Sequence, residues 1–390
     1  MGKIFIIAGE VSGDMFAAQL MSDISQKKQV QFVGYGGQHM LKQGLMPLYE
    51  DNTLFSAVGI LEAGRFLFKQ WKMLRKIVPY VKKHHIKNIV LVDHEVFNIL
   101  AAKKIRKALG SSVKIFFFIP PRVSMWGKKT APVVASLCDA LFCYMHPDVA
   151  IYKQYTDKAF YFGNPLSAKL KNFIPNKQFY QKHNLNSHIQ YIALMPGSRL
   201  QEIDSLLPVF LRTAKRFYNQ HTVEFLMAIA HQGLRQRIEK ELKKQNFRHA
   251  VHILDDSSLE VMAHCKYGLV GAGTITLETV MTGMYPIIAY KVNPITFWMI
   301  RKSEDLPDST LIGLPNVFLQ QRIFPELLQF EVNEENLCRE LNFIHNMQTT
   351  MREYVMLDAQ ERLSDALGSI HSIEKVADYI IEHMQDTISG

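Results

Sequence analysis

A chain of 390 residues is longer than one ordinary hydrophobic core supports, so two domains are expected. At 48% hydrophobic and 21% charged residues the composition is globular, not disordered, and the four cysteines (Cys138, Cys143, Cys265, Cys338) lack the spacing of a disulfide framework or a metal site. No apolar run reaches the length of a membrane span, and the net charge of +9 leaves nucleic acid, an anionic membrane surface or a phosphorylated substrate as partners to weigh.

In chain order, Ile4–Ala8 reads as a first strand, too short and without a cleavage site to be a signal peptide. Gly9-Glu10-Val11-Ser12-Gly13-Asp14 turns into a helix and puts Glu10 at the strand end; a plain turn capped by Ser12 or Asp14 fits the same residues. After the strand Gln31–Gly34, Gly34-Tyr35-Gly36-Gly37 lacks dinucleotide-fingerprint spacing and reads as a loop. From Arg65 to His85 the chain carries Arg65, Lys69, Lys72, Arg75, Lys76, Lys82 and Lys83 without an acidic residue, interleaved with Phe66, Phe68, Trp71, Leu74, Val78 and Val81. That spacing predicts a basic amphipathic helix with aromatic anchors, suited to a membrane interface or to packing on a sheet with a solvated back. A nucleic-acid role is disfavoured, because zinc spacing, RNP-like sequence and helix-turn-helix signatures are missing.

The apolar run Asn88–Val92 ends at Asp93, where a carboxylate can take the proton of an attacking hydroxyl or act as a cap. Asp93-His94-Glu95 also raises a divalent-metal reading, disfavoured because side chains alternate along a strand and no second acidic cluster follows. Strands at Lys114–Ile119, Ala140–Tyr144 and Ala159–Phe162 complete the first half. The Pro120–Trp126 loop places Trp126 against an acceptor pocket or simply in the packing, and Gly163-Asn164-Pro165-Leu166 marks an edge before the polar linker Asn172–Ser187.

The second half has strand-like runs at Tyr191–Met195, Glu224–Ile229, His249–Leu254, Tyr267–Val270 and Pro286–Tyr290, and its end, Glu334 to Met384, reads as helical. Two small-residue turns stand out. In Pro196-Gly197-Ser198-Arg199, backbone N–H groups and a guanidinium can meet a diphosphate, although Ser198 and Glu202 also fit a capped helix. In Gly271-Ala272-Gly273-Thr274, the turn opens a helix on which Glu278 can take ribose hydroxyls. Asn316, in the Gly313–Phe318 loop, is a further polar candidate. Strands alternating with helical patterns predict an α/β protein with parallel sheets and ligand sites beyond the strands' carboxyl ends.

Ala8–Asp14, Val58-Gly59-Ile60-Leu61-Glu62, Gly163–Leu166, Leu194–Arg199, Gly273–Glu278 and Leu314-Pro315-Asn316, with Ala289–Pro294 and Phe297-Trp298, occur in the order of the signature segments of bacterial lipid-A-disaccharide synthase, which the chain resembles. The resemblance implies a GT-B glycosyltransferase: two Rossmann-like doubly wound domains facing across a cleft. Residues 1–170 would form the acceptor- and membrane-facing domain, 171–355 the UDP-sugar-binding domain, and 356–390 helices packing back on the first. It implies inverting transfer of 2,3-diacylglucosamine from its UDP derivative to 2,3-diacylglucosamine 1-phosphate, giving a β-1,6 bond and free UDP. No cofactor, metal or nucleic acid is implied. The protein would be cytoplasmic, peripheral on the inner membrane's cytoplasmic face, with a homodimer left open.

By the same resemblance Asp93 first and Glu10 second are catalytic, and Gly197, Ser198, Arg199, Gly273, Thr274, Glu278 and Asn316 bind nucleotide. Phe66, Phe68, Lys69, Trp71, Lys72, Arg75, Lys76 and Trp126 face membrane or acceptor. The chain departs from the family pattern at Val96, where a second aspartate is usual, at the reduced aromatic pair around Ser124 and Trp126, at Asn164 for a histidine, and at Ala272 for a serine. The GT-B frame also serves a transferase with another acceptor or a UDP-sugar epimerase, and the altered loops motivate a third alternative, an inactive membrane-associated binding copy.

Overall fold

The computed structural model describes residues 2–9, 11–48, 60–125, 127–229, 232–255, 257–292 and 311–385, with the side chains of 11 and 60–67 outside the description. Glu10, Trp126, the Phe66 side chain, the Val58-Gly59 pair and Phe297-Trp298 therefore lie outside the described residues. Contacts divide the chain into two units, 1–168 with 367–390, and 169–366.

The first unit runs β1 (Gly2–Ala8), α1 (Val11–Lys27), β2 (Val30–Tyr35), α2 (Gln38–Lys42), β3 (Met46–Pro47), α3 (Ile60–Lys83), β4 (Asn88–Val92), α4 (Glu95–Leu109) and β5 (Lys114–Phe118). It continues with α5 (Ala131–Leu137), β6 (Ala140–Phe142), α6 (His146–Tyr152), β7 (Ala159–Phe160) and α7 (Ser167–Lys171), whose last residues pass into the second unit. The strands form a parallel sheet ordered β3-β2-β1-β4-β5-β6-β7. Phe5, Ile7, Ile89, Leu91, Ile115 and Phe117 share one core cluster with Met73, Ile77 and Val81 of α3. Helices cover the sheet, so its central strands are apolar throughout, which is why they were readable as continuous runs.

The second unit contains α8 (Phe179–Lys182), β8 (Gln190–Met195), α9 (Leu200–Tyr218), β9 (Val223–Ala228), α10 (Arg235–Gln245), β10 (Val251–Leu254), α11 (Ser258–Ala263), β11 (Tyr267–Gly271), α12 (Ile275–Met281) and β12 (Tyr285–Tyr290). After it come α13 (Leu314–Leu319), β13 (Glu326–Leu328), α14 (Glu334–Asn346) and α15 (Thr349–Leu367), and then α16 (Ser372–His383) of the first unit. Its sheet is ordered β10-β9-β8-β11-β12-β13, again parallel. Position 355/356, where the sequence divides on resemblance, lies inside α15; the contacts divide the chain at Leu367.

α16 returns to the first unit. Lys27 of α1 bonds Glu374 and Asp378 at 3.0 and 2.6 Å, and the buried Asn88 side chain exchanges bonds with the Gln385 backbone. Asn164 is spent on this return: its N–H donates to Leu367 O, its Nδ2 to Tyr144 O, and its Oδ1 accepts the Leu166 N–H.

In each sheet the strand order reverses beside the unit's first strand. Those reversals lie between β1 and β4 and between β8 and β11, and the crevice beyond the carboxyl ends of such a pair is where open α/β sheets seat ligands.

Candidate active site

At the first reversal, β1 pairs with β4 in the register Ala8↔Val92, so the turn after β1 and Asp93 are neighbours. Asp93 and His94 both adopt left-handed backbone, φ 51° and 44°, which is uncommon for non-glycine residues and costs energy that the surroundings must repay. The Asp93 N–H donates to Phe118 O of β5, and Asn98 Nδ2 donates to the carbonyls of Val92 and Asp93 at 3.1 and 2.7 Å. The bend ends the strand before Asp93, so Asp93 and His94 do not alternate across it as the sequence pattern assumes. Ser12 Oγ lies 3.5 Å from Asp93 Oδ2. A Cβ on Gly9 would fall 2.3 Å from the His94 ring, so the first turn needs glycine for its neighbour's sake.

Asp14 behaves as a structural anchor. Its buried carboxylate accepts the N–H groups of Gly37, His39 and Met40, tying α1 to the start of α2. Val96, at the family's usual second aspartate, is 70% exposed on the first turn of α4.

The Pro120–Trp126 loop is pinned from α6. Tyr152 donates its hydroxyl to Pro121 O at 2.9 Å, and Asp148 accepts the Ser124 N–H at 2.8 Å. Asp148 is wholly buried with Oδ2 unpartnered, and burial pushes its carboxyl up to about 6 against the weaker pull of Ser124 and Arg122. Ile119, just before the loop, has φ 60°, a strained setting for a β-branched residue.

At the second reversal, β8 and β11 are paired through Gly268↔Ala193 to Val270↔Met195, and the two turns beyond them touch: a Cβ on Gly271 would lie 2.9 Å from Pro196 O. Gly197 has φ 126°, and its missing Cβ leaves room for the Glu202 carboxylate. Glu202 Oε2 accepts from Ser198 N at 2.9 Å and Arg199 N at 3.2 Å, while Arg199 Nη1 stands 3.4 Å from Oε1. The capped-helix reading and the anion-seat reading thus meet on the same atoms. At Gly273, φ 140°, a built Cβ would find nothing within 4 Å, so the second turn is open in front of its backbone. Thr274 precedes α12 without a side-chain capping bond, and Glu278 lies buried on that helix with Oε1 2.7 Å from Lys169 Nζ.

Asn316 is brought to the same unit, with its side chain engaged inside it. Its Nδ2 donates to Phe324 O and Glu326 Oε1, and its Oδ1 accepts from Ile323 N and Phe324 N. Every hydrogen-bonding valence of that amide is used internally. Glu326 is buried and also accepts from Ile312 N and Gly313 N, so the pair fixes the entrance to α13. Asn316 thus ties α13 to the segment that enters β13, and a contact of its amide with nucleotide would have to replace one of these bonds. Sequence reasoning missed Lys169 and Glu326, which carry no local motif; the Arg199-to-Glu202 capping spacing was visible.

On α3, Met73, Leu74, Ile77 and Val81 are buried, whereas Phe68 and Trp71 are 56% and 47% exposed. Their rings stack at 5.9 Å, with Lys72 over Phe68 at 4.7 Å and Arg75 over Trp71 at 4.5 Å. Beside them a groove of about 420 Å³ is lined by Leu74, Arg75 and Val78 of α3 and Lys104, Lys107 and Ala108 of α4. Lys69 and Lys76 lie on the same helix. Among the described residues no helix is long and apolar enough to cross a membrane.

Comparison with known proteins agrees across the whole chain. The family model described as lipid-A-disaccharide synthetase matches residues 4–379. Lipid-A-disaccharide synthase of Persephonella marina is 30% identical over 389 residues, covering 98% of this chain and 99% of its own. That of Nitrosococcus oceani is 28% identical over 348 residues, 88% of each. Among solved structures, an S. aureus MnaA–UDP complex superposes with a TM-score of 0.66 at 12% identity, covering 97% of this chain and 96% of that one. UDP-GlcNAc 2-epimerase from Neisseria meningitidis, bound to UDP-GlcNAc, gives 0.64 at 11% over 97% and 98%. At such identities the structural likeness speaks for the fold alone, which is the GT-B arrangement of two parallel-sheet α/β domains.

Proposed function

The chain belongs to the lipid-A-disaccharide synthetase family and is a lipid A disaccharide-forming glycosyltransferase that uses a UDP-sugar, and from that premise we propose its substrates and the residues that act on them. The donor is UDP-2,3-diacylglucosamine and the acceptor 2,3-diacylglucosamine 1-phosphate. Asp93, with Glu10 second, takes the proton of the acceptor's 6-hydroxyl. The freed oxygen forms the new bond at the anomeric carbon from the face opposite the leaving group. The anomeric C–O bond to the diphosphate breaks, through an oxocarbenium-like transition state of the kind known from glycoside chemistry.

UDP departs with the electron pair, and its growing charge is met by Arg199 and by the N–H groups of the Gly197 and Gly273 turns. Glu278 takes ribose hydroxyls, held in place by Lys169. Ser198 and Thr274 flank the diphosphate. The observation that carries this reading is the pairing of two glycine turns at one strand reversal in a chain that the family matches nearly end to end. The UDP and UDP-GlcNAc held by two fold relatives support the same donor class.

The acyl chains of both substrates give α3 its purpose. Its exposed Phe68–Trp71 stack and the cations around it suit a peripheral seat on the cytoplasmic face of the inner membrane, with the acceptor entering nearby. The epimerase alternative rests on fold likeness at 10–12% identity, against a family match across the chain.

The test is turnover of both diacylated substrates in detergent, followed as UDP release, with and without a chelator. Asp93→Ala is expected to lose about 10²–10⁴-fold in kcat while its affinity for the UDP-sugar stays near wild type. Wild-type turnover in that variant would remove Asp93 from the base role.

A further inference from the structure

The donor turn holds an anion of its own. One oxygen of Glu202 accepts the N–H groups of Ser198 and Arg199, and the other faces the Arg199 guanidinium. These are the donors that a diphosphate needs, and an N–H shared between two anionic acceptors serves each poorly. We propose that Glu202 is an internal counter-anion of the donor turn: it occupies the diphosphate's place in the empty site, is displaced when the nucleotide sugar binds, and returns as UDP leaves. The proposal rests on the reading of Pro196–Arg199 as the diphosphate seat.

Three features carry it. Glu202 stands on the first turn of α9, a well-formed helix of 19 residues, so the carboxylate swings on a side chain while the backbone stays in place. The residue is partly exposed, which gives that side chain somewhere to go. At Gly197 a Cβ would lie 2.2 Å from Glu202 Oε2, so glycine there admits the carboxylate as well as the left-handed turn. A carboxylate this close to an arriving diphosphate opposes it by charge, and the same carboxylate keeps the donors aligned while the site is empty.

The experiment measures binding of UDP and of uridine to the full-length wild type, Glu202→Gln and Arg199→Ala, with thermal unfolding as a check on folding. Glutamine at this capping position still accepts hydrogen bonds and preserves the helix start. Glu202→Gln is expected to bind UDP about tenfold more tightly, with unchanged affinity for uridine, which has no diphosphate. In turnover both KM for the donor and kcat should fall, because UDP leaves more slowly. Equal or weaker UDP binding in Glu202→Gln, alongside weakened binding in Arg199→Ala, would make Glu202 a helix cap only and overturn the proposal. Wild-type UDP binding in Arg199→Ala would instead remove the diphosphate seat, and the proposal with it.

Discussion

Asn316 shows how a residue of a signature segment can be engaged within its own unit. Removing the amide takes four internal bonds with it, two of them from the buried Phe324 backbone and one from the Glu326 carboxylate. Asn316→Ala is therefore expected to cost about 2–4 kcal/mol of stability by denaturant unfolding, with UDP affinity of the folded protein unchanged; a loss of UDP affinity without a loss of stability would return it to the ligand shell. Asp148 gives the opposite lesson, because no motif announced it. Its carboxyl is raised from 3.8 to about 6, so the folded chain holds that proton more tightly than the unfolded one. The contribution to stability is full below pH 3.8 and is lost as pH rises to about 6, above which the buried charge is unrelieved. Asp148→Asn should accordingly be more stable than wild type at pH 8 by on the order of 2 kcal/mol, with the difference gone by about pH 4; a pH-independent difference would refute the ionisation account. Asp93 was legible because it ends an apolar run. Its left-handed backbone was not, since that bend is enforced by Phe118 and Asn98 from other elements.

At the scale of elements, one face of the basic helix packs on the sheet, and the membrane seat of the other face is the proposal made above. Residues at 73, 74, 77 and 81 pack into the core, which fixes α3 on the sheet, and the Phe68–Trp71 stack faces outward. Periodicity could show that α3 has an apolar stripe but not which aromatic residues fall outside it. Exposed apolar side chains contribute little to folding, so Phe68→Ser with Trp71→Ser should leave the unfolding midpoint within about 2 °C of wild type. The same variant should lose most of its sedimentation with anionic vesicles, and undiminished vesicle binding would place the membrane contact elsewhere. The apolar strands were read closely, because continuous burial on both faces writes continuous apolar runs. The short edge strands β3 and β13, two and three residues long, were missed for the converse reason. The Pro196–Arg199 turn was recognised as a seat or a cap. The fold shows the cap, through Glu202, on the same N–H groups that the proposed seat would use.

For the molecule as a whole, the chain's end completes its beginning. α16 buries Ile373, Val376, Ala377 and Ile380, and its neighbours Lys27 and Asn88 belong to α1 and β4. Truncation before Leu367 should therefore speed amide exchange in β1, β4 and α1 while leaving β8 and α9 protected, a pattern that hydrogen-exchange mass spectrometry can read; uniform deprotection of both units would contradict it. The sequence by itself determined the α/β class, the alternation of strands and helices, the family and the turns that bear its motifs, because local periodicity and short turn chemistry are written residue by residue. Tertiary structure alone decided which turns are neighbours. The order of strands within a sheet is a property of pairing, and β1 meets β4, as β8 meets β11, only after dozens of intervening residues have folded around them. It also decided how the polar residues are used, since Asn316, Asp14 and Glu202 are each defined by donors or acceptors that distant or newly turned backbone supplies.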